Sequence, residues 1–172
     1  MAEALIYAGA NVRTPDRLGR TALGLAIATG NRGVIALLIS AGAELEARDS
    51  EGLTPLQRAI YAQKADFMRD LLDAGASPGT PSGNGETSLM IAIARLREVI
   101  EELVARGADV NARDASGQTA LMRIAAFNAP DIVQQLLRLG ADASLKDPSG
   151  RTAEGIAREN RRDAVVALLA TP

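Results

Sequence analysis

Short stretches of helical periodicity alternate with Gly-rich turns along this chain. After Asp49-Ser50-Glu51-Gly52-Leu53-Thr54-Pro55, apolar side chains fall at Leu56, Ala59 and Ile60, the i, i+3, i+4 spacing of one helix face. A second apolar stripe at Phe67, Met68, Leu71 and Leu72 runs up to Gly75. Thr54 has the side chain of a helix N-cap, and Pro55 at the first helical position forfeits no needed hydrogen bond. Asp49 and Gly52 fit the first and fourth places of a type I turn, where Asp bonds its own backbone. Gly75 stops the second helix, most naturally in the left-handed conformation that glycine adopts without steric cost. The stretch 49–81 is therefore predicted as turn, short helix, longer helix and extended link.

The same pattern returns throughout. Gly-x-Thr steps recur at Gly19, Gly52, Gly85, Gly117 and Gly150, with spacings of 33, 33, 32 and 33 residues. Gly-Ala steps at Gly9, Gly42, Gly75, Gly107 and Gly140 lead them in register by 10. Two locked series with one period mean one supersecondary unit stacked several times. The units read as 16–48, 49–81, 82–113, 114–146 and 147–172, and residues 2–15 read as the last helix and link of a preceding one. Nothing there forms a first helix to pack against Leu5 and Ile6, so the natural protein is expected to continue upstream of Met1.

Asp-x-x-Gly-x-Thr-Pro-Leu, Ala five residues after Thr, a Leu-Leu pair and Gly-Ala-Asp-Val-Asn together resemble the ankyrin repeat. The nearest matches are Asp49–Leu56 and Gly107-Ala108-Asp109-Val110-Asn111-Ala112-Arg113. The resemblance covers nearly the whole chain and implies an all-α fold: one domain, 1–172, an ankyrin-repeat solenoid of stacked helix-turn-helix units joined by β-turn or hairpin fingers. Several departures carry information. The family's His after Thr-Pro-Leu is replaced by Gly24, Gln57, Met90, Met122 and Gly155, which predicts a less tightly tied turn array. The third unit has Ser82 for the turn Asp and a Pro- and Gly-rich link, 77–84, which predicts a loose finger. It is also one residue short near Arg95-Leu96-Arg97, where the stacking angle is expected to shift. In the last unit Arg158, Glu159, Arg161, Arg162 and Asp163 supply the polar cap a solenoid end needs.

Composition changes the picture mainly by exclusion. Aromatics make up 2% of a chain that is 47% hydrophobic, so the core must be aliphatic. A net charge of −2 offers no global field for nucleic acid or acidic lipid. No apolar run reaches the roughly 18 residues of a membrane span, and the N-terminus lacks signal-peptide regions. Compartment stays open, because a processed secretory chain would look the same. Arginine outnumbers lysine 17 to 2, which together with abundant alanine fits a GC-rich bacterial coding sequence. With no Cys and no His, disulfides, thiolate metal sites and the usual general base are absent. Neither cofactor nor metal is expected, and the glycines are periodic caps and turns, not a phosphate loop.

The resemblance implies binding on the concave side, formed by turn tips and exposed first-helix positions. Carried over, the tips are Arg17, Leu18, Arg20, Ser50, Glu51, Leu53, Asn84, Glu86, Ser116, Gln118, Ser149 and Arg151. The matching helix positions are Thr29, Tyr61, Arg95, Phe127 and Asn160. Tyr61 and Phe127 are two of the chain's four aromatics, and aromatic residues dominate interface hot spots. Two repeats apart, they are expected to lie about 20 Å from each other. The competing reading makes both rings fillers between adjacent first helices. Arg48, Arg113 and Lys146, each before a turn Asp, read as alternating charges along the fingers more than as a basic stripe. Glu98, Glu101 and Glu102 read as a solvated second-helix face. The first finger is locally basic and the next two are acidic, a mixed surface that suits a particular protein better than a polyanion. The expected function is a non-enzymatic protein-binding scaffold without nucleic-acid, membrane or metal partners; the alternative is a dedicated inhibitor or immunity protein that blocks a bacterial enzyme or toxin.

Overall fold

Five threonines start five helices. The hydroxyls of Thr21, Thr54, Thr87, Thr119 and Thr152 each accept the backbone N–H three residues on, at 3.0 to 3.3 Å. That satisfies one of the free donors every helix N-terminus carries. The structure is a computed structural model that describes Ala4 and residues 8–170. Among these residues the helices come in pairs: α1 (Ala22–Thr29) and α2 (Arg32–Ser40), α3 (Pro55–Tyr61) and α4 (Ala65–Asp73), α5 (Ser88–Arg95) and α6 (Ile100–Ala105), α7 (Ala120–Ala125) and α8 (Pro130–Arg138), α9 (Ala153–Glu159) and α10 (Asp163–Leu169). Leu5 and Ile6 lie outside the described residues.

Each capped helix packs on the capped helix of the next unit, so α1, α3, α5, α7 and α9 form one layer; in the other layer α2 packs on α4 and α8 on α10. Ala26, Ala59, Ala92 and Ala157, each five residues after its threonine, are at most 5% exposed and let neighbouring helices approach. The core between the layers is aliphatic, as composition requires: Leu23, Ile27, Ile35, Leu56, Ile60, Leu71, Leu89, Ile100, Leu103 and Leu121 are all buried. Phe67, Met68, Leu71 and Leu72 face inward on α4. Gly75 follows it with φ 97°.

The fingers are tight turns. In each, the residue at the Asp position donates its amide to the carbonyl four residues on, and the glycine amide returns to it, as in Asp49 N to Leu53 O at 3.0 Å and Gly52 N to Asp49 O at 2.8 Å. Strand pairing among the described residues reduces to one antiparallel bridge, Arg113 with Thr119. No sheet forms among them.

The third unit meets one sequence expectation and departs from another. Its short inter-helix turn is real: α5 ends at Arg95, Leu96 leaves the helical conformation at φ −146° and ψ 68°, and a 3-10 turn over Arg97–Val99 precedes a six-residue α6. Its finger, however, is not loose. The Gly83 amide donates to the Gly52 carbonyl at 2.7 Å, and the Arg48 guanidinium donates to the Pro81 carbonyl at 3.1 and 2.7 Å. Proline lacks a donor but keeps its acceptor, and facing glycines let two backbones meet. Ser82 takes over the role of the missing Asp, accepting the Glu86 amide at 2.9 Å.

The missing His also costs less than expected at this junction. Gln57, fully buried, completes a capping box with Thr54 and donates its Nε2 to the carbonyls of Thr80 at 2.9 Å and Glu86 at 3.2 Å. Farther along, Arg113 donates to the Lys146 carbonyl at 2.8 Å. At the end, Arg162 donates to the Ala126 carbonyl at 3.0 Å and pins the charged last unit to the fourth.

Candidate functional site: the finger and first-helix face

The turn geometry pushes the tip side chains outward. Arg17, Leu18, Arg20, Ser50, Glu51, Asn84, Ser116 and Ser149 are exposed or partly so, while Glu86, Gln118 and Arg151 are half-buried. Leu53 departs from expectation. It is only 8% exposed, because the residue before the N-cap folds back onto the core. On the helices Thr29, Tyr61, Arg95, Phe127 and Asn160 are exposed. Thr29 and Asn160 spend their polar groups locally, on the carbonyls of Leu25 and Ile156.

One register needs correcting. Thr29, Arg95, Phe127 and Asn160 stand eight residues after their threonines, but Tyr61 stands seven after Thr54. The step is about 100° around the helix, and it turns the Tyr61 ring toward the next unit. There the Arg95 guanidinium lies over it, 4.2 Å from the ring centroid, and donates Nη2 to the phenol oxygen at 2.7 Å.

Most charges on this face are consumed by one another. Arg58 holds Asp49 at 2.6 Å and Glu51 at 3.0 Å. Arg123 holds Glu86 at 2.6 Å and reaches Asp114 at 3.7 Å. Burial pushes the Asp114 carboxyl up, but the Ser116 hydroxyl, the Gln118 and Ser116 amides and Arg123 keep it below the usual range. Arg20 bonds Asp16 and lowers its carboxyl. The Arg151 amide, with the guanidinium behind it, keeps Asp147 low against the effect of burial.

Two clefts open on the first helices. The first, about 340 Å³, gathers Glu51, Leu53, Tyr61, Asn84, Glu86 and Arg95 from the predicted set. The second, about 410 Å³, lies between α5 and α7 and has Phe127 in its wall. Met90 and Ala94 line both, so the clefts adjoin. Asn84, Glu86, Ser116 and Gln118 meet again around a more open hollow between the third and fourth fingers. Arg17, Leu18, Arg20, Thr29, Ser50, Ser149, Arg151 and Asn160 line none of these three.

Sequence reasoning passed over Met90, Ile93, Ala94, Arg97, Arg123 and Ile124, which with Asn128 and Ala129 complete the second cleft. A signal existed: Ile124 stands where the other four units carry Ala. The opposite face holds ties between units. Arg69 bonds Glu102 at 2.9 Å, Arg32 bonds Asp70 at 2.8 Å, and Gln135 donates to Glu101 at 3.1 Å. Exposed pairs of this kind each contribute little. Arg48 and Arg113 likewise serve neighbouring fingers and do not form a stripe.

Among the described residues no helix is long and apolar enough to cross a membrane, and no group of His, Cys, Asp or Glu is arranged to hold a metal ion. No curated protein matches the chain. The family described as ankyrin repeats matches it in three overlapping copies, over residues 1–82, 51–114 and 89–172. The paired helices, threonine caps and turn fingers are those of that family's repeating unit, and the chain belongs to the ankyrin repeat family.

Proposed function

We propose that this chain is a non-enzymatic scaffold that binds a protein partner through its fingers and capped helices, the side that lines the concave surface of a solenoid. Ankyrin repeats are generally protein–protein interaction modules. One observation carries the assignment of the face: Tyr61 and Phe127 are 41% and 63% exposed beside two adjoining clefts, whereas Phe67 on the other helix layer is buried. Rigid stacked units present such rings already ordered, so little entropy is lost on binding. The carboxylates here are engaged by arginines and serve as neutralised walls.

The test is capture of a partner on the immobilised full chain, identification by mass spectrometry, and affinity measurement with Tyr61→Ala and Phe127→Ala. Binding weakened by either substitution, with the melting temperature kept, supports the reading. Unchanged affinity with a lowered melting temperature would make the rings packing residues. Loss of the partner's activity on binding would identify the scaffold as an inhibitor.

A further inference from the structure

We infer that the third and fourth units form a subsite for an acidic peptide segment with a bulky apolar side chain. The apolar group seats against Phe127 between α5 and α7, and its neighbouring carboxylate meets Arg95 and Arg97. The inference rests on the reading of this face as the partner-binding side and gives that partner a chemistry.

The apolar half of the subsite comes from a departure from the repeat. Ile124 occupies the place where the other units carry Ala. A branched side chain at a point of close helix approach spaces α7 from α5, and the cleft opens at that point. Met90, Ile93 and Ile124 form its floor at 5%, 6% and 6% exposure, with Phe127 standing as a wall. Ala94 makes a low rim, so a side chain can enter from the first-helix face. The cleft's volume, about 410 Å³, falls in the range of built ligand sites, about 300–1,000 Å³.

The charged half follows from the missing residue in the third unit. Because α5 stops at Arg95 and the 3-10 turn begins at Arg97, two arginines flank Leu96, Arg97 in the wall of this cleft and Arg95 in the wall of the adjoining one. Their charges are not spent as those of Arg58 and Arg123 are. Arg95 has no carboxylate partner among the described residues; its guanidinium rests on Tyr61 with Nη2 on the phenol oxygen. That contact orients the group while leaving Nε and Nη1 free to donate. Arg97 has one carboxylate, Asp131, at 3.9 Å, and both side chains are more than half exposed. The Arg97 Nε donates to the Ile93 carbonyl at 3.3 Å, so each guanidinium is held at one end and keeps donors open at the other. A carboxylate, which accepts charge-assisted N–H bonds, is the group that matches them. Arg58 and Arg123 nearby are already held by Glu51 and Glu86, so the open donors are few and match a short acidic stretch better than an extended polyanion.

The probe is a displayed library of short random peptides selected against the full chain. Enriched sequences should carry Asp or Glu within a few residues of Trp, Phe or Leu. Their affinity should fall about tenfold or more with Phe127→Ala, and likewise with Arg95→Glu plus Arg97→Glu. All three positions are exposed, so melting temperatures should stay unchanged, and binding by the parent should weaken with added salt. Absence of enrichment, enrichment of basic peptides, or affinities indifferent to these substitutions would each overturn the inference. Peptides that respond to Tyr61→Ala and to finger substitutions alone would overturn it while leaving the partner-binding face intact. A captured protein indifferent to Tyr61→Ala and Phe127→Ala would remove both.

Discussion

Gly52 and Gly83 meet backbone to backbone across two units. The Gly83 amide donates to the Gly52 carbonyl at 2.7 Å, and a β-carbon built on Gly52 would lie 2.9 Å from the Gly83 α-carbon. No other side chain fits that contact. Gly52 also has φ 77°, a conformation that costs a non-glycine residue about 1–2 kcal/mol before any clash. Gly52→Ala is therefore expected to lower unfolding free energy by about 2 kcal/mol or more. Gly83→Ala meets Gly52 at 3.1 Å without the left-handed backbone and should cost less. Gly79→Ala, with only the Ser77 hydroxyl at 3.7 Å, should change little. Urea unfolding of the three variants checks this order; equal stability of Gly52→Ala and Gly79→Ala would contradict it.

Gln57 carries two jobs on one buried side chain, the cap of α3 and the tie to the third finger. Gln57→Ala strands the Thr80 carbonyl and the Thr54 amide, while the Glu86 carbonyl keeps the Ser82 amide, at about 1–3 kcal/mol for groups left without partners. A measured loss under about 0.5 kcal/mol would show that the finger contact is not made in solution.

Ser88 points the other way. It is fully buried at the start of α5, and its hydroxyl has no hydrogen-bond partner. An unpaired buried hydroxyl costs free energy, and Ala is the better helix former. Ser88→Ala should raise stability by about 1 kcal/mol. A drop in melting temperature would refute the unpaired state.

Stability should be flat near neutrality and fall in acid. Asp16, Asp114, Asp142 and Asp147 have folded-state carboxyls below the ordinary value of 3.8. A depressed carboxyl stabilises the fold above its unfolded value and loses that contribution as pH drops through the folded one. With no histidine in the chain, the melting temperature should hold between about pH 5 and 8 and decline below about pH 4. Asp114→Asn should flatten the acid limb. A transition centred near pH 6 would contradict the assignment.

The parts of the fold that depend on neighbours in sequence were legible in sequence. Thr54 before Pro55, Asp49 before Gly52 and Gly75 after Leu72 each act within one turn, and the structure has them as read. What crosses from unit to unit was not. Glycines and prolines in 77–84 read as looseness, because nothing local says that Gly83 will face Gly52. Gln57 reads as a lost His in sequence, whereas in the fold its amide finds two carbonyls in the link and finger that follow. At the site, Tyr61 and Phe127 were visible as rare aromatics, and Arg95 was named without its partner. The second cleft was missed because it arises from two small irregularities, Ile124 in an alanine's place and one residue fewer before Arg97, that matter only when α5 and α7 are side by side.

A partner seated on the fingers and capped helices must shield them from solvent. Backbone amide exchange of the full chain, free and saturated with its captured partner, tests it most directly. Added protection is expected in α3, α5 and α7 and in the turns at 49–54, 82–87 and 114–119, with α2, α4 and α8 unchanged. Protection concentrated on α4 and α8, with those turns and the Tyr61 and Phe127 amides unaffected, would contradict it.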